Sequence, residues 1–277
     1  MENPISSRLF DKANDRLIYI GKSATPDLWD TLWSMDREAV QRSLSPTRDC
    51  DQLVAVTRHH LDPSEGAILE GGCGRGQYVA ALTRAGFKTI GIDYAQETVK
   101  ALNEHAPDLD IRFGDVRSLP LQESSVAGYW SIGVIEHFWD GFETLAAEMS
   151  RVIKDGGCLF CSFPFLNPMR QLKARMGLYP LAEFESEPSD FYQFALSKPV
   201  VVETMSRHGF TLVGETRLAG FKGILGELGP LSSALEPLYE YEGNSLFVRG
   251  VRKAVDLLFT KIGCSHSIQL VFRRRAR

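Results

Sequence analysis

A cluster of glycines next to an acid is the part of this chain best suited to bind a cofactor. The stretch from Ile68 to Leu82 reads ILEGGCGRGQYVAAL, in which an apolar run ends at Glu70. A sharp turn from a strand into a helix needs residues without a Cβ, because the turn takes unusual dihedrals and lets a ligand approach the backbone. The helix that follows has unpaired N–H groups at that turn. The sequence therefore predicts a nucleotide-cofactor site formed by Glu70, Gly71, Gly72, Cys73, Gly74 and Gly76.

The spacing of these glycines distinguishes between cofactors. The dinucleotide fingerprint is G-x-G-x-x-G, so a third glycine would follow Gly72 and Gly74 at position 77. That position is Gln77, and the pattern present is E-x-G-x-G-x-G. The spacing therefore disfavours a nicotinamide oxidoreductase.

Further polar residues follow the next apolar runs along the chain. Asp93 and Tyr94 stand after the second run, and Asp115 and Val116 after the third, in GDVRSLP. An acid at the end of the second strand can accept hydrogen bonds from both ribose hydroxyls of an adenosine. The fourth run leads into WSIGVIEHF, residues 130–138.

The elements that must position these residues alternate between strand and helix from about residue 66 to 164. Short apolar runs predict strands, i, i+3, i+4 apolar spacing predicts helices, and the connectors carry Gly, Pro or Asp. Such alternation predicts a parallel sheet covered on both faces, with ligands at the carboxyl ends of its strands. The predicted strands are Ala67–Glu70, Thr89–Asp93, Ile111–Gly114, Val126–Ile132 and Cys158–Pro164, and the predicted helices are Gln77–Ala85, Gln96–His105 and Phe142–Ile153.

Taken together, these motifs resemble the class I S-adenosylmethionine (SAM) methyltransferases, and WSIGVIEHF and EMSRVIKDGGCLFCSFP resemble the UbiE-like, type 11 branch. The resemblance implies an α/β, Rossmann-like sheet of seven mostly parallel strands with the last antiparallel. It implies SAM as the cofactor and S-adenosylhomocysteine as its product. In that family the acid at Asp115 accepts from the adenine amino group, and the N–H of Val116 reaches a ring nitrogen. The implied cofactor residues are Glu70, Gly71, Gly72, Cys73, Gly74, Gly76, Asp93, Tyr94, Asp115, Val116, Ser131, Ile132 and Gly133.

His137 is the candidate catalytic residue, because it follows the fourth strand close to where the methyl group should lie. A hydroxyl or carbon acid acceptor must lose a proton, and a positioned base assists that step. The alternatives for His137 are packing at a helix N-terminus or a hydrogen bond to the cofactor. Glu136 has two possible roles, orienting His137 or lining the SAM pocket.

The segments outside the alternating pattern should form the acceptor pocket. We divide the chain into a helical N-terminal lid, residues 1–60, and a SAM-binding domain, residues 61–277, with cap insertions at about 165–197 and 219–263. Two further strands are predicted at Thr211–Leu218 and Ser267–Phe272. Tyr19, Trp29 and Trp33 could contact a ligand from the lid, although aromatic residues also commonly pack in cores.

A helix predicted from Ser245 to Ile262 has a broad apolar stripe and four basic residues. Two interpretations remain open for this stripe. The helix could pack on the sheet, or it could make a peripheral membrane contact that helps to collect a lipidic substrate.

The composition and the missing motifs narrow the class of acceptor. The chain of 277 residues has a formal net charge of −4, which gives no general attraction to nucleic acid. The turn that methyltransferases of nucleobase amines carry after the fourth strand, N/D/S-P-P-aromatic, is replaced by Ser131-Ile132-Gly133-Val134. No Pro-Cys nucleophile pair and no basic stripe with interleaved aromatics is present. Small-molecule or lipid-like acceptors remain, and the sequence carries no signature of the oligomeric state.

The cysteines indicate neither a metal site nor disulfides. Cys158 and Cys161 have CxxC spacing, but an offset of three puts them on opposite faces of a strand, and no second ligand pair is found. The N-terminal residues lack the apolar core of a signal peptide, and no run of about 18 apolar residues occurs. We therefore expect a cytoplasmic protein without a metal.

Two functions fit the motifs. The first is a SAM-dependent methyltransferase that acts on a small acceptor at O, N or C. The second is a non-catalytic SAM-binding regulatory module. The cofactor motifs alone do not distinguish this module from an enzyme.

Overall fold

A computed structural model describes residues 5–33, 36–184, 186–241 and 243–276. The ends of the predicted domain ranges, residues 1–4 and 277, lie outside the described residues. The strands are β1 (Ile5–Asp11), β2 (Arg16–Gly21), β3 (Ile68–Gly71), β4 (Thr89–Asp93), β5 (Asp110–Phe113), β6 (Val126–Ile132), β7 (Ile153–Pro164), β8 (Phe191–Ala195), β9 (Phe210–Leu218) and β10 (Ser267–Arg274).

Helices cover both faces of the larger sheet and form the connections between its strands. They are α1 (Pro26–Leu32), α2 (Arg37–Ser43), α3 (Arg48–His60), α4 (Gln77–Arg84), α5 (Gln96–His105), α6 (Glu143–Val152), α7 (Pro168–Arg175), α8 (Lys198–Arg207), α9 (Gly220–Leu225), α10 (Glu236–Tyr239) and α11 (Leu246–Lys261).

The main sheet has seven strands in the order β5-β4-β3-β6-β7-β10-β9. The five strands from β5 to β7 run parallel, whereas β10 pairs antiparallel with both β7 and β9. Strands β3, β4 and β6 are almost entirely buried, because helices cover both faces, and this explains their continuous apolar sequences. The predicted Rossmann-like sheet with an antiparallel last strand is confirmed.

A second, three-stranded sheet forms the cap, in the order β1-β2-β8. Helix was predicted for the whole N-terminal segment, and this is wrong for residues 5–21, which form an antiparallel hairpin. Its turn is closed by Asp11, whose carboxylate accepts from the backbone and side chain of Asn14 and from Arg16. The cap sheet packs on the main core, since Ile18 and Phe194 belong to the same buried cluster as Leu69 and Ile92.

Helix α11 matches the predicted helix but does not pack on the main sheet. It lies on α9 and α10, and none of its residues is buried. The approach to α9 is close: a Cβ at Gly220 would lie 2.2 Å from the backbone nitrogen of Thr260. The sheet-packing interpretation of this helix is therefore wrong, because the insertion supplies its own partner in α9.

All five cysteines are free and buried. Within the described ranges, no cluster of His, Cys, Asp and Glu side chains could hold a metal ion. No helix in those ranges is long and apolar enough to cross a membrane.

Candidate functional site

A cavity of about 290 Å³ opens at the carboxyl ends of β3, β4 and β6, beneath α1. This is the edge at which parallel α/β sheets bind their ligands. Most of the predicted cofactor residues line it: Glu70, Gly72, Cys73, Gly74, Asp93, Tyr94, Asp115, Val116, Ile132 and Gly133. The candidate base His137 and the lid residues Trp29 and Trp33 also line it.

The glycine loop forms one wall of the cavity with its backbone. Gly72 and Gly74 have φ of +75° and +48°, in the left-handed region that favours glycine. A Cβ at Gly72 would lie 2.5 Å from Cγ2 of Val134, so the two cavity walls meet here. A Cβ at Gly74 would lie 3.0 Å from the ring of Trp33. These glycines therefore allow both the turn and the close approach of the opposite wall.

Asp93 connects the glycine loop to the start of α5. Its Oδ2 accepts from the backbone N–H of Gly74 at 2.7 Å, and its Oδ1 accepts from that of Ala95 at 2.9 Å. Burial raises the pKa of Asp93, although these backbone N–H groups oppose the shift. The carboxylate is thus held in one orientation at the cavity wall.

Glu70 is a second buried carboxyl group at the same wall. Burial, with a smaller contribution from the charge of Asp93, raises the pKa of Glu70 well above its ordinary value. Its Oε2 has no hydrogen-bond partner among the described residues. Of the side chains that line the cavity, only Arg75 and Arg117 are cationic. Two adjacent buried carboxyl groups suit a ligand that carries positive charge.

Asp115 lies across the cavity mouth in an ion pair with Arg117. The guanidinium donates to both carboxylate oxygens, at 2.6–3.0 Å, and the backbone N–H of Arg117 donates to Oδ1 at 2.8 Å. These hydrogen bonds lower the pKa of Asp115. A ligand that uses Asp115 must share that carboxylate with Arg117.

Aromatic side chains from α1 cover the cavity. The rings of Trp29 and Trp33 stack with centroids 4.9 Å apart, and Trp29 Nε1 donates to the hydroxyl of Tyr94 at 3.0 Å. The carboxylate of Asp30 accepts from the backbone N–H and the hydroxyl of Thr98, both at 3.0 Å. Helix α1 is therefore attached to the first turn of α5.

His137 lies in the short 3₁₀ helix after β6, with one ring nitrogen already used. Its Nδ1 lies 2.7 Å from the backbone carbonyl oxygen of Tyr192. A carbonyl oxygen only accepts, so Nδ1 carries the hydrogen and Nε2 keeps its lone pair. Burial lowers the pKa of His137 to about 4, so the ring is neutral at physiological pH.

Glu136 adopts neither of the two roles open to it from the sequence. It does not line the cavity, and the hydrogen bond of His137 goes to Tyr192 instead. The side chain is buried, and burial raises the pKa of Glu136 to about 8.

Three predicted cofactor residues lie behind the cavity wall. Gly71 packs against Tyr129, Gly76 is the N-cap of α4 with φ of +71°, and Ser131 is buried in β6. Tyr19 also lies away from the cavity, in a buried cluster with Leu17, Leu166, Tyr179 and Ala195. These residues shape the wall or the cap but do not line the cavity.

Sequence reasoning did not select several residues that do line the cavity. Arg117 and Phe138 lie inside the motifs GDVRSLP and WSIGVIEHF, but neither was selected as a site residue. Tyr192 does not line the cavity but packs against His137 from β8, with ring centroids 5.5 Å apart, and no local signal marks it. The other unselected lining residues are Arg75, Gln77, Tyr78, Gly114 and Val134.

Comparisons with known proteins agree with this geometry. Residues 69–161 match a family profile described as a methyltransferase domain, Methyltransf_11. The chain is 31% identical over 166 residues to a ubiquinone biosynthesis O-methyltransferase of Paracidovorax citrulli, covering 57% of this chain and 68% of that protein. It is 36% identical over 97 residues to a probable S-adenosylmethionine-dependent methyltransferase of Mycolicibacterium smegmatis, covering 35% of this chain. The chain spans only 37% of the length of that mycobacterial protein, and 42% of a second relative from Streptomyces fradiae.

Solved structures share the fold at low sequence identity. A putative methyltransferase of Haloferax volcanii, in complex with the activator Trm112, gives a TM-score of 0.58 at 14% identity, covering 91% of this chain and 99% of that one. The geranyl diphosphate C-methyltransferase of Streptomyces coelicolor gives 0.52 at 16% identity, covering 99% and 92%. These likenesses show the fold alone.

Proposed function

Since the chain belongs to the class I SAM-dependent methyltransferases, we propose that it transfers the methyl group of SAM to a small or lipid-like acceptor, releasing S-adenosylhomocysteine. The observation that carries the proposal is that the glycine loop, Glu70 and Asp93 line the same cavity. Relatives whose names specify ubiquinone biosynthesis, a malonyl-acyl-carrier protein and a mycocerosate lipid support the class of acceptor.

The residues present fit SAM. The left-handed Gly72 and Gly74 leave a cradle that side chains would fill, and the unpartnered oxygen of Glu70 suits a cationic group. Asp93 would accept from the ribose hydroxyls, and Asp115 with the N–H of Val116 would hold the adenine. When bound, SAM supplies a methyl group that its sulfonium already makes electrophilic, so positioning the acceptor accounts for much of the rate.

His137 is the residue that we propose for handling the acceptor's proton. Because Tyr192 takes the Nδ1 hydrogen, Nε2 is available as a hydrogen-bond acceptor at neutral pH. A hydroxyl acceptor would donate to Nε2, and His137 would take that proton as the oxygen bonds to the methyl carbon. The same contact orients the nucleophile before the reaction.

Residues 1–60 would act as the lid. The tryptophans of α1 roof the cavity, and α1 is held to the cavity wall by Trp29 and Asp30. Closure of this segment would exclude water from the transferred methyl group. The hairpin of residues 5–21 belongs to the cap sheet, so the moving part of this lid would begin at α1.

The five free, buried cysteines support a reducing compartment, and we propose a cytoplasmic location. Fractionation of cells that express the chain with an epitope tag would check this. Recovery in the soluble cytoplasmic fraction is expected, and secretion would contradict it.

The cofactor is tested by titrating SAM and S-adenosylhomocysteine into the purified protein and into Asp93→Ala. We expect at least a tenfold loss of affinity in this variant, because it removes the proposed acceptor of the ribose hydroxyls. Asp108→Ala, at an exposed position, is the matched control and should bind normally. Absence of binding by the folded protein, or equal affinity in Asp93→Ala, would contradict the proposal.

Turnover distinguishes an enzyme from a SAM-binding regulatory module. The protein is incubated with methyl-labelled SAM and size-fractionated cell extract. Label in a small-molecule or lipid fraction supports methyl transfer. If SAM binds but no fraction is labelled, the regulatory alternative replaces the proposed activity.

A further inference from the structure

Helix α11 exposes its bulky apolar residues to solvent. Leu246 and Phe247 at its start are 81% and 79% exposed. Three more apolar side chains along the helix and just after it are more than half exposed: Leu257, Leu258 and Ile262. Exposed apolar residues this large and this close together mark interaction surfaces in soluble proteins.

These residues share one side of the helix. Successive residues turn by about 100°, so Leu246, Leu257, Gly250, Ala254, Phe247 and Leu258 fall within an arc of about 120°. The opposite side contains Val255 and Phe259, which pack against the buried Phe221 of α9. Helix α11 therefore has two apolar sides. One packs on the protein, and the other faces solvent.

The exposed apolar surface continues onto α7. Gly263, just after α11, lies against Pro168, because a Cβ at Gly263 would be 3.1 Å from Cγ of Pro168. Sγ of Cys264 lies 3.4 Å from Sδ of Met169. Leu172 and Met176 lie four and eight residues beyond Pro168, on the same side of α7. They are 57% and 62% exposed.

The charges on this surface have one sign. The exposed charged residues of the two helices are all basic: Arg175, Arg249, Arg252, Lys253 and Lys261. Arg252 donates to the backbone carbonyl of Tyr241 and lies over the ring of Tyr239, so it faces α10 and leaves the other four for this surface. The only acid in either helix, Asp256, accepts from the backbone N–H of Phe221 and so faces α9. The neighbouring α10 begins at Glu236 and is followed by Glu240, so α7 and α11 are more basic than the element beside them, in a chain whose net charge is −4.

We propose that α11 and α7, with Met176 just after it, form a membrane-docking surface that takes an anionic lipid bilayer. Outward leucines and a phenylalanine flanked by lysines and arginines are what an interfacial helix inserts between headgroups, while its cations pair with anionic lipids. The charge favours lipid over a second copy of this chain, because two basic surfaces would repel each other. The proposal stands on its own residues and does not depend on the proposed methyl transfer.

Vesicle flotation of the purified full chain without SAM tests the proposal. One set of vesicles is phosphatidylcholine alone, and the other contains about one third phosphatidylglycerol. We expect co-flotation with the anionic vesicles only, and its loss when salt is raised from low to about 0.5 M. Phe247→Ser should weaken binding about tenfold by removing buried apolar area, and Lys253→Gln should weaken it less.

The matched control is Val213→Ser, which removes a half-exposed apolar side chain of β9 instead. It should bind vesicles as the unaltered chain does. The proposal is overturned if the chain does not bind anionic vesicles at low salt, or if Phe247→Ser and Val213→Ser bind equally. A concentration-dependent dimer that Phe247→Ser dissolves, with no lipid binding, would assign the surface to a second copy instead.

Discussion

At the scale of single residues, the cofactor cavity depends on two carboxyl groups that the fold keeps from solvent. Glu70 and Asp93 are each 2% exposed, and the charge of Asp93 adds to the burial that raises the pKa of Glu70. Glu70 keeps one oxygen without a partner in the described structure. Because its pKa is raised, Glu70 holds a proton more readily than a carboxyl group in water does. A cationic ligand that pairs with Glu70 must therefore displace this proton.

We therefore expect the affinity for SAM to rise with pH. In the free protein burial raises the pKa of Glu70 well above its ordinary value, and a bound cation would lower that pKa again. Binding then releases a proton, and it strengthens as pH rises through the raised pKa. Calorimetric titrations in buffers of different ionisation enthalpy would measure the proton release.

Glu70→Gln should remove this pH dependence, whereas Glu104→Gln, at an exposed position of α5, should keep it. Equal proton release by Glu70→Gln and the unaltered protein would show that another group supplies the proton.

His137 gives a second prediction for the acid side of the pH profile. Burial lowers the pKa of His137 to about 4, so the ring stays neutral as pH falls through the ordinary histidine range. Activity that depends on its Nε2 should persist at pH 6 and disappear only near pH 4, provided that the fold survives. The pH profile of kcat measures this.

His137→Ala should lower kcat by roughly 10²-fold or more, with a much smaller change in SAM affinity. If that variant lost SAM binding while retaining kcat, His137 would be a cofactor ligand instead.

The residues of the site could be predicted where they are local in sequence. The glycine loop follows β3, Asp93 ends β4, and Asp115 follows β5 after one glycine, so strand ends and residue types suffice to place them. Tyr192 could not be predicted, because its carbonyl reaches His137 only through pairing of distant strands. The pairing of Arg117 with Asp115 had a local signal, a basic residue two positions after an acid.

At the scale of elements, the N-terminal hairpin shows how a short strand pair is mistaken for a helix. Leu17-Ile18-Tyr19-Ile20 is an apolar run of strand type, and Asn14-Asp15 before it is a turn signal. These signals are individually weak beside the helix patterns that follow. The cap strand β8 is rich in aromatic residues that favour strands, but it is only five residues long and lies in a segment without a clear period.

Helix α1 should control how fast the product leaves the cavity. Asp30 holds α1 to α5, so Asp30→Ala should let α1 open more easily and speed release of S-adenosylhomocysteine by about tenfold, the equivalent of one lost charged hydrogen bond. Stopped-flow fluorescence of Trp29 and Trp33 would measure this rate.

Asp27→Ala is the control for this experiment, since Asp27 is an exposed acid on the same helix. Equal release rates for the two variants would mean that α1 does not limit product exit.

At the scale of the whole molecule, the carboxylate of Glu227 joins strand β1 of the cap sheet to helix α7 and to the turn after α9. Glu227, in the turn after α9, accepts hydrogen bonds from basic and phenolic side chains of β1, α7 and the segment after it. These donors are Arg8 at 3.1 Å, Arg170 at 2.9 Å, Lys173 at 2.8 Å and Tyr179 at 2.5 Å. Burial alone would raise the pKa of Glu227, but Arg170 and the other donors lower it below its ordinary value.

Glu227→Gln should destabilise the protein by about 3 kcal/mol, because it leaves the guanidinium of Arg170 buried without a counter-charge. Since the folded pKa of Glu227 is depressed, its contribution is present above the unfolded pKa and lost as pH falls through the folded one. The free energy of unfolding, measured in urea at neutral and acidic pH, should differ most between variant and unaltered chain at neutral pH.

Glu240→Gln, which removes an exposed acid just after α10, should change the free energy of unfolding little at either pH. A loss of equal size in both variants would mean that the stability depends on net charge and not on this cluster.

The main sheet could be predicted as a whole because strand–helix alternation and right-handed crossovers leave few topologies. The cap could not, since its sheet joins the N-terminal hairpin to β8, which follows all five parallel strands in the chain. The same holds for α11: its stripe predicted an amphipathic helix, but only the position of α9 decides which side faces solvent.

The pairing of β2 with β8 has a consequence for the order in which the protein folds. Leu17 lies opposite Ala195, so the five parallel strands of the main sheet lie between the two partners along the chain. During synthesis the hairpin emerges before β8 and must wait for this third strand, and a contact of such long sequence separation forms slowly. The hairpin would thus reach its native state later than the parallel strands made after it, and a ribosome pause before Phe191 would prolong exposure of an unpaired β2 edge to other nascent chains.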